Sequence, residues 1–543
     1  MKTHDVQNQV PPLLDFDAWA SDPALREAVA REGAAWAQDE LAAFGKLTGS
    51  AALHEHARLA NENRPKLRAF DARGHRINAV EFHPSYHALM QTSLGAGLAG
   101  RPWTDDRKGA LVARLAGSHL MGRTEQGHGC PVTMTFAAVP ALRHAPALAD
   151  RYEHKITAPA YDPRNVPAAD KSALTVGMAM TEKQGGSDVR ANTTRATEQP
   201  DGSHRLTGHK WFCSAPMCDL FLTLAHEDAG LSCFLVPRFT PDGAPNAMNL
   251  QRLKDKVGNH SNASSEIEYD GAFAERVGEP GRGVRTIIDM VAHTRLDCVN
   301  GSAALMREAL GHAVHHATHR RAFGRRLVEH PLMQNVLADL TLEAEAATAL
   351  ALRLGRAYEE GRTDDGARAF ARIATAIGKY HVCKRTPAMV YEALECHGGN
   401  GFVEEHPLAR LYREAPLNSI WEGSGNVICL DVLRALAREP ETLPALRAEL
   451  TAARGADRRY DAWIGAIEAE LRDVATLEFR ARRLVERLAV ALQAAILIRG
   501  ARPEIADAFV ASRLVERGHR EYGTLADQTA VALLIERADP LAH

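Results

Sequence analysis

Residues 171–280 constrain the fold more than any other part of this chain. Short strand-like runs occur there at Arg205–Phe212, Phe221–Ala225, Ser232–Val236 and Glu266–Tyr269. Turn residues separate them, at Pro200-Asp201-Gly202, Asp228-Ala229-Gly230 and Pro241-Asp242-Gly243. No helical pattern intervenes, so the sheet is predicted to be antiparallel, a sandwich or barrel rather than a doubly wound sheet.

The flanks differ in period. Residues 1–170 read as mostly helical, with apolar residues at helical spacing in Ala24–Phe44 and Gly109–Met121. Residues 281–438 return to long helices, of which Leu332–Glu359 is the clearest, and predict a bundle. A further helical segment, 439–543, follows Pro440 and Pro444. The expected architecture is mainly α with a central antiparallel β domain. Four stretches suit 543 residues at about 150 per domain.

A 45% hydrophobic, 24% charged composition can bury a sizeable core. With 65 Lys+Arg against 68 Asp+Glu, the net charge of -3 argues against a simple polyanion binder, while leaving room for a local basic face. None of the eight cysteines forms a C-x-x-C pair, which points to a reducing cytoplasm. The opening MKTHDVQNQV has no apolar signal core. The longest apolar run, Leu488–Ile498, is too short to span a bilayer and reads as a buried helix, so no membrane partner is expected.

Several short motifs could carry chemistry. In TEKQGGSD (181–188) two glycines let backbone amides turn toward one point, and Thr181 and Ser187 add hydroxyls. Such a loop can hold a phosphate or a flavin edge; taken alone it also reads as an ordinary turn. HKWFCS (209–214) puts Trp211 and Ser214 on a strand, suited to stacking on a planar cofactor, or simply to a core tryptophan. HRRAFGRR (319–326) clusters arginines able to grip a pyrophosphate, or to solvate a helix end. His312, His315, His316 and His319 share a helix face, but HExxH is absent and no metal is expected. CHGGNGF (396–402) is a Gly-rich turn without a Rossmann pattern. In SIWEGSGN (419–426), Glu422 beside Trp421 would be partly desolvated, raising its pKa toward that of a general base; a solvated loop glutamate is the plainer alternative.

Together these motifs resemble, in order and spacing, the flavin-dependent acyl-CoA dehydrogenase family. The family pattern runs Thr-Glu…Gly-Ser-Asp, Lys-Trp-x-x-Ser/Thr, Arg-x-x-Phe-Gly, Gly-Gly-x-Gly and Ile-aromatic-Glu-Gly-Thr/Ser. Here it stands as TEKQGGSD, KWFCS, RRAFG, HGGNGF and IWEGS, over about residues 170–435. That resemblance implies a helical domain, a β-barrel and a helical bundle, with the last segment an extra helical domain. The phrases GMAMTEKQGGSDVRANTTRA (177–196), RLKDKVGNHSNASSEIEY (252–269) and NSIWEGSGN (418–426) are similar to the AidB branch, flavoproteins of the bacterial response to alkylating agents.

The resemblance implies roles. FAD is the cofactor. Thr181 and the amides around it, from Met180 to Gly186, would bond the flavin pyrimidine edge, and Ser187 the pyrophosphate. Trp211 would flank the isoalloxazine, with Ser214 near N5. Arg320, Phe323 and Gln334 would reach a neighbouring subunit's FAD in a homotetramer, with Ser424 and Asn426 bracketing the dinucleotide. Glu422 would be the base, removing the α-proton of an acyl thioester. Departures from the family pattern, Lys183 for proline and Glu395 for glutamine, predict poor turnover of a common acyl-CoA.

The branch also implies double-stranded DNA as a partner. Arg480, Arg483 and Arg487 fall on one helix face, and Arg513, Arg517 and Arg520 on another. Such stripes can track phosphates, although Arg482–Glu486, Arg483–Glu486 and Glu516–Arg520 are also spaced for intrahelical ion pairs. Arg434 and Arg517 stand where the branch presents DNA-facing arginines. No base-reading motif is visible, so binding is expected to be sequence-independent. Three functions follow: a flavoenzyme that destroys an alkylating agent near DNA, a metabolic acyl-CoA dehydrogenase acting on short or branched-chain acyl-CoA, or a DNA-shielding protein with a structural flavin.

Overall fold

The computed structural model describes residues 3–515, 521–526 and 528–542. It forms two units. One comprises Met1–Ala51, Arg107–Thr124 and Arg295–His543; the other comprises Ala52–Asp106 and Glu125–Thr294.

The second unit contains the sheet. A small hairpin pairs β1 (Lys66–Phe70) with β2 (Arg76–Glu81). The main sheet has seven strands among the described residues: β3 (Val176–Ala179), β4 (Arg195–Glu198), β5 (His204–Ser214), β6 (Leu220–Glu227), β7 (Gly230–Pro237), β8 (Met248–Leu253) and β9 (Ser264–Val277). Following the pairings β6-β4-β5-β9-β7 and back to β6 closes the sheet into a barrel. Closure removes the open edges that invite aggregation. β6 and β7 are buried at nearly every position, Phe221 and Phe234 completely, because both faces are covered.

Most pairs are antiparallel, as the turn pattern predicts. β3 differs: it runs parallel to β6, Val176 opposite Leu220, and β4 meets β6 in a parallel pair at Arg195 and His226. β3 follows a helical stretch rather than a hairpin turn, so nothing local fixes its direction. The sequence reading missed β3, which spans only four residues, and β4 and β8, which are short and partly polar. It also missed the β1–β2 hairpin, whose Gly74 turn is closed by Asp71 accepting from the Arg73 and His75 amides.

The first unit is helical. Pro331–Glu360 and Asp365–Glu395 pack along each other, and Ala481–Gly500 packs on both. Asp364 caps the second of these helices, accepting from the Ala367 amide at 2.6 Å. Their faces are rich in buried alanine and leucine, from Leu337 to Ala357 in the first, which lets the axes approach closely. Within Ala481–Gly500 the run from Leu488 to Leu497 is buried, as its apolar character predicts. No helix among the described residues is long and apolar enough to cross a membrane. The helix expected over Ala24–Phe44 is broken into Pro23–Arg31 and Gln38–Thr48. Gly33 stands between them at φ +93°, a conformation that ends a helix.

Candidate functional site

The predicted residues fall in both units. In the β unit, the loop 180–188 is fastened from behind by Glu182, which is fully buried. Its Oε1 accepts from Lys210 Nζ (2.9 Å) and Thr194 Oγ1 (2.6 Å). Its Oε2 accepts from the Thr193 amide (2.6 Å) and Gln184 Nε2 (2.7 Å). Burial alone would raise the Glu182 pKa, but the hydrogen bonds from Thr193, Thr194 and Lys210 outweigh it and hold the carboxyl far below its usual range. Burial pulls the Lys210 ammonium down, opposed by Glu182. Lys210 also donates to the Leu224 carbonyl (2.8 Å), tying the loop to the barrel wall.

With Glu182 turned inward, the loop's other groups are left for a ligand. A Cβ at Gly186 would lie 2.7 Å from Thr181 Oγ1, so a side chain there would displace the hydroxyl; at Gly185 the space is open. Ser187 is exposed and Thr181 half-buried, and Met180 is fixed by its carbonyl accepting from Asn192 Nδ2 (3.0 Å). The Trp211 amide donates to the Thr181 carbonyl (2.8 Å), which joins the loop to β5 where the register slips between Lys210 and Cys213. Such a bulge re-aims side chains next to a site. Lys254 Nζ sits 3.1 Å from the Trp211 ring centroid, so one indole face carries a cation, and Glu266 accepts from that lysine and from Arg252 (2.7 Å each). Ser214 Oγ pairs with Ser264 Oγ at 3.2 Å.

In the helical unit, Glu422 has φ +58° and Gly423 φ +104°. Two cations hold this left-handed turn. Buried Lys379 donates to the carbonyls of Asn418 (3.0 Å) and Gly423 (2.7 Å). Arg295 Nε donates to the Glu422 carbonyl (3.0 Å), and its Nη1 pairs with Asp431 (2.8 Å), which Arg372 also grips (2.9 Å). Trp421 donates through Nε1 to Asn418 Oδ1 (2.8 Å), so the indole is anchored beside the glutamate. Glu422 itself is half-buried. Cys298 lies within the field of Glu422 and Lys379, and burial pushes its thiol well up. Sequence reasoning missed Arg295 and Lys379, since nothing local distinguishes them from other helix cations.

The other cofactor candidates of this unit take different places. Arg320 donates to the Asn8 carbonyl. Phe323, at φ +51°, is 96% exposed at the tip of the hairpin Arg321–Ala322 and Arg325–Arg326. Gln334 is half-buried in the first turn of Pro331–Glu360. Ser424 and Asn426 are exposed at the start of Gly425–Arg438, where Asn426 Oδ1 accepts from Arg482 Nε (2.8 Å).

The histidine face is spent on internal contacts. His312 pairs with Glu308 (3.1 Å), and His315 Nε2 donates to the Pro11 carbonyl (2.9 Å). The His315 and His319 rings lie 4.3 Å apart, and the His316 and His397 rings meet at a tilt with centroids 4.4 Å apart. Among the described residues, no group of three or more His, Cys, Asp or Glu could hold a metal.

The expected arginine stripes need correction. Arg480 (3.1 Å) and Arg487 (2.9 Å) both turn onto buried Glu470, and Arg513 onto Asp339 (2.6 Å) and Glu343 (3.3 Å). A buried carboxylate needs a partner, and these arginines supply it instead of facing solvent. Arg483 reaches Glu470 at 3.5 Å rather than Glu486, yet stays 65% exposed; Arg434 is 60% exposed. Arg517 and Arg520 lie outside the described residues.

A closed barrel in one unit, long helices in the other, a glycine-rich loop at 180–188 on the barrel and a pinned glutamate turn on the helices are the parts of an acyl-CoA dehydrogenase, an FAD-dependent oxidoreductase class. The loop's open Gly185, its free hydroxyls and its inward glutamate fit that cofactor. Family models match over most of the chain: the adaptive response protein AidB N-terminal domain at residues 8–163, and the acyl-CoA dehydrogenase middle and C-terminal domains at 177–272 and 281–437. The chain is 45% identical over 519 residues, 95% of both proteins, to the "Putative acyl-CoA dehydrogenase AidB" of Escherichia coli. It is 33% identical to acyl-CoA dehydrogenase family member 11 of Caenorhabditis elegans, over 75% of this chain and 68% of that one. The crystal structure of Caenorhabditis elegans ACDH-11 with C11-CoA superposes with a TM-score of 0.84 at 26% identity, covering 99% of this chain and 93% of that one. The chain belongs to the AidB branch of the acyl-CoA dehydrogenase family.

Proposed function

We propose that this flavoprotein is a homotetramer of the alkylation response that binds double-stranded DNA without sequence preference and destroys alkylating agents close to it. The likeness to AidB across 95% of both chains carries the reading. Arg434 and Arg483, exposed on the helical unit, are its phosphate contacts among the described residues, joined in sequence by Arg517 and Arg520. The four stretches divide the work: 1–170 helical, 171–280 flavin contacts, 281–438 the glutamate turn, 439–543 DNA.

The flavin contacts of this reading are Met180, Thr181, Gly186, Ser187, Trp211 and Ser214 on the barrel. Arg320, Phe323, Gln334, Ser424 and Asn426 meet the dinucleotide on the helices. Bound FAD supplies a hydride acceptor. Glu422 removes the proton from the carbon next to an activated carbonyl, and Lys379 and Arg295 keep its backbone in place while it does so. In cells, E422Q is expected to abolish protection against alkylation while leaving DNA affinity unchanged. Intact protection would favour a DNA shield with a structural flavin.

A metabolic acyl-CoA dehydrogenase is the second reading, favoured by the C11-CoA complex of the Caenorhabditis elegans protein. Turnover of medium-chain acyl-CoA by the purified holoenzyme, with no effect of DNA, would select it.

A further inference from the structure

The helix Ala481–Gly500 begins with a cluster of arginines that split into two sets. Arg480, Arg483 and Arg487 converge on Glu470. Arg482 points elsewhere. Its Nε donates to Asn426 Oδ1 at 2.8 Å, and its Nη2 lies 3.4 Å from where a Cβ on Gly425 would stand. The guanidinium is close enough to Tyr380 and Cys429 for its charge to act on both. Among the described residues no carboxylate lies within ion-pair distance of it. A cation here is thus spent on a neutral amide, in a turn that follows the Glu422 loop directly.

That pairing fixes the carboxamide. An amide offers one acceptor oxygen and one donor nitrogen. With Oδ1 committed to Arg482, Nδ2 becomes the group left for a ligand, and it is a donor. Phosphate oxygens are acceptors only, so a carboxamide locked this way suits a diphosphate and rejects the flipped orientation. The arginine comes from the extra segment beyond residue 439, the asparagine from the bundle.

We infer that Arg482 is a positioning residue for FAD, acting through Asn426, and that it makes the extra C-terminal segment part of the cofactor site. The inference rests on the assignment of Ser424 and Asn426 to the dinucleotide.

The test is FAD affinity of the full-length apoprotein, read by quenching of flavin fluorescence, for wild type, R482M, R482K, N426A and R482M/N426A. Loss of one positioned hydrogen bond predicts about three- to tenfold weaker FAD binding for R482M and for N426A. The double variant is expected to be no worse than either single one. R482K, which keeps a charged donor, should stay within about twofold of wild type. The melting temperature of each apoprotein should be unchanged, which separates positioning from loss of fold. Wild-type affinity in R482M alongside weakened N426A would overturn the inference, and so would additive losses. Wild-type affinity in N426A would instead remove Ser424 and Asn426 from the FAD site, and the inference with it.

Discussion

Lys210 and Glu182 meet at 2.9 Å with both side chains fully buried, one on a barrel strand and the other in the loop 180–188. Each is satisfied further by backbone or hydroxyl groups, so neither charge is stranded. The pair fixes the loop from inside and leaves its outer face for a ligand.

Removing one partner strands the other. K210M should therefore destabilise the fold by about 3–5 kcal/mol, visible as a lower melting temperature and as loss of bound flavin. K210M/E182Q should lose less than the sum of the two single variants in a double-mutant cycle. Additive losses would mean that the pair is not coupled.

The glutamate turn makes a kinetic prediction. E422Q should bind FAD normally but lower kcat by about 10²- to 10⁴-fold on any acyl-CoA the protein turns over. K379M should lower kcat with a smaller change in KM, because it releases the carbonyls of Asn418 and Gly423 and lets the carboxylate wander. Steady-state kinetics on the holoenzyme check both.

Buried histidines set an acid limit. Burial holds His316 and His381 down at about 4, and His397 at about 3. Arg320, His406, His315 and His319 bear on His316, and Glu343, Arg385 and Arg513 on His381. His316, His312 and His406 bear on His397. These folded values lie below the unfolded value of 6.5, so the unfolded chain binds more protons between pH 6.5 and about 4. Stability should be fully present above pH 6.5, fall as pH drops through that window, and level off below about 3 as far as these groups are concerned. Urea unfolding from pH 7 to 4 tests this, and H381F should flatten the slope.

DNA binding separates the arginines. R434A and R483A should each weaken affinity for duplex DNA and lower the salt slope by about 1. R480A and R487A should act mainly on stability, since they uncover buried Glu470. Equal salt slopes for all four variants would remove Arg434 and Arg483 from the contact surface.

Much of this was legible in the residues. Period alone located Pro331–Glu360 to within a residue at each end, because a long amphipathic helix repeats its signal many times. Strands β5, β6, β7 and β9 emerged from their apolar runs, whereas β4 and β8 carry too few. The motif loops were readable as loops. Their supports were not: Lys379 lies 39 and 44 residues from the carbonyls it holds, and Arg295 lies 127 from its own, and no local pattern encodes a contact over that distance. The arginine stripes failed for the same reason. Helix geometry says which residues share a face, but Glu470 and Asp339, supplied by other helices, decide which way that face looks.

The left-handed backbone of Glu422 narrows what evolution can try there. A β-branched residue is strained at such an angle, while asparagine, aspartate and glycine are tolerated. Single-step drift toward valine would be punished by misfolding before any loss of chemistry was felt. Glycine, also one codon change away, would silence the carboxyl and spare the chain. A lineage that abandons the reaction while keeping the scaffold therefore has an easy exit, and sister proteins with a mute site should show a small or amide side chain at this point.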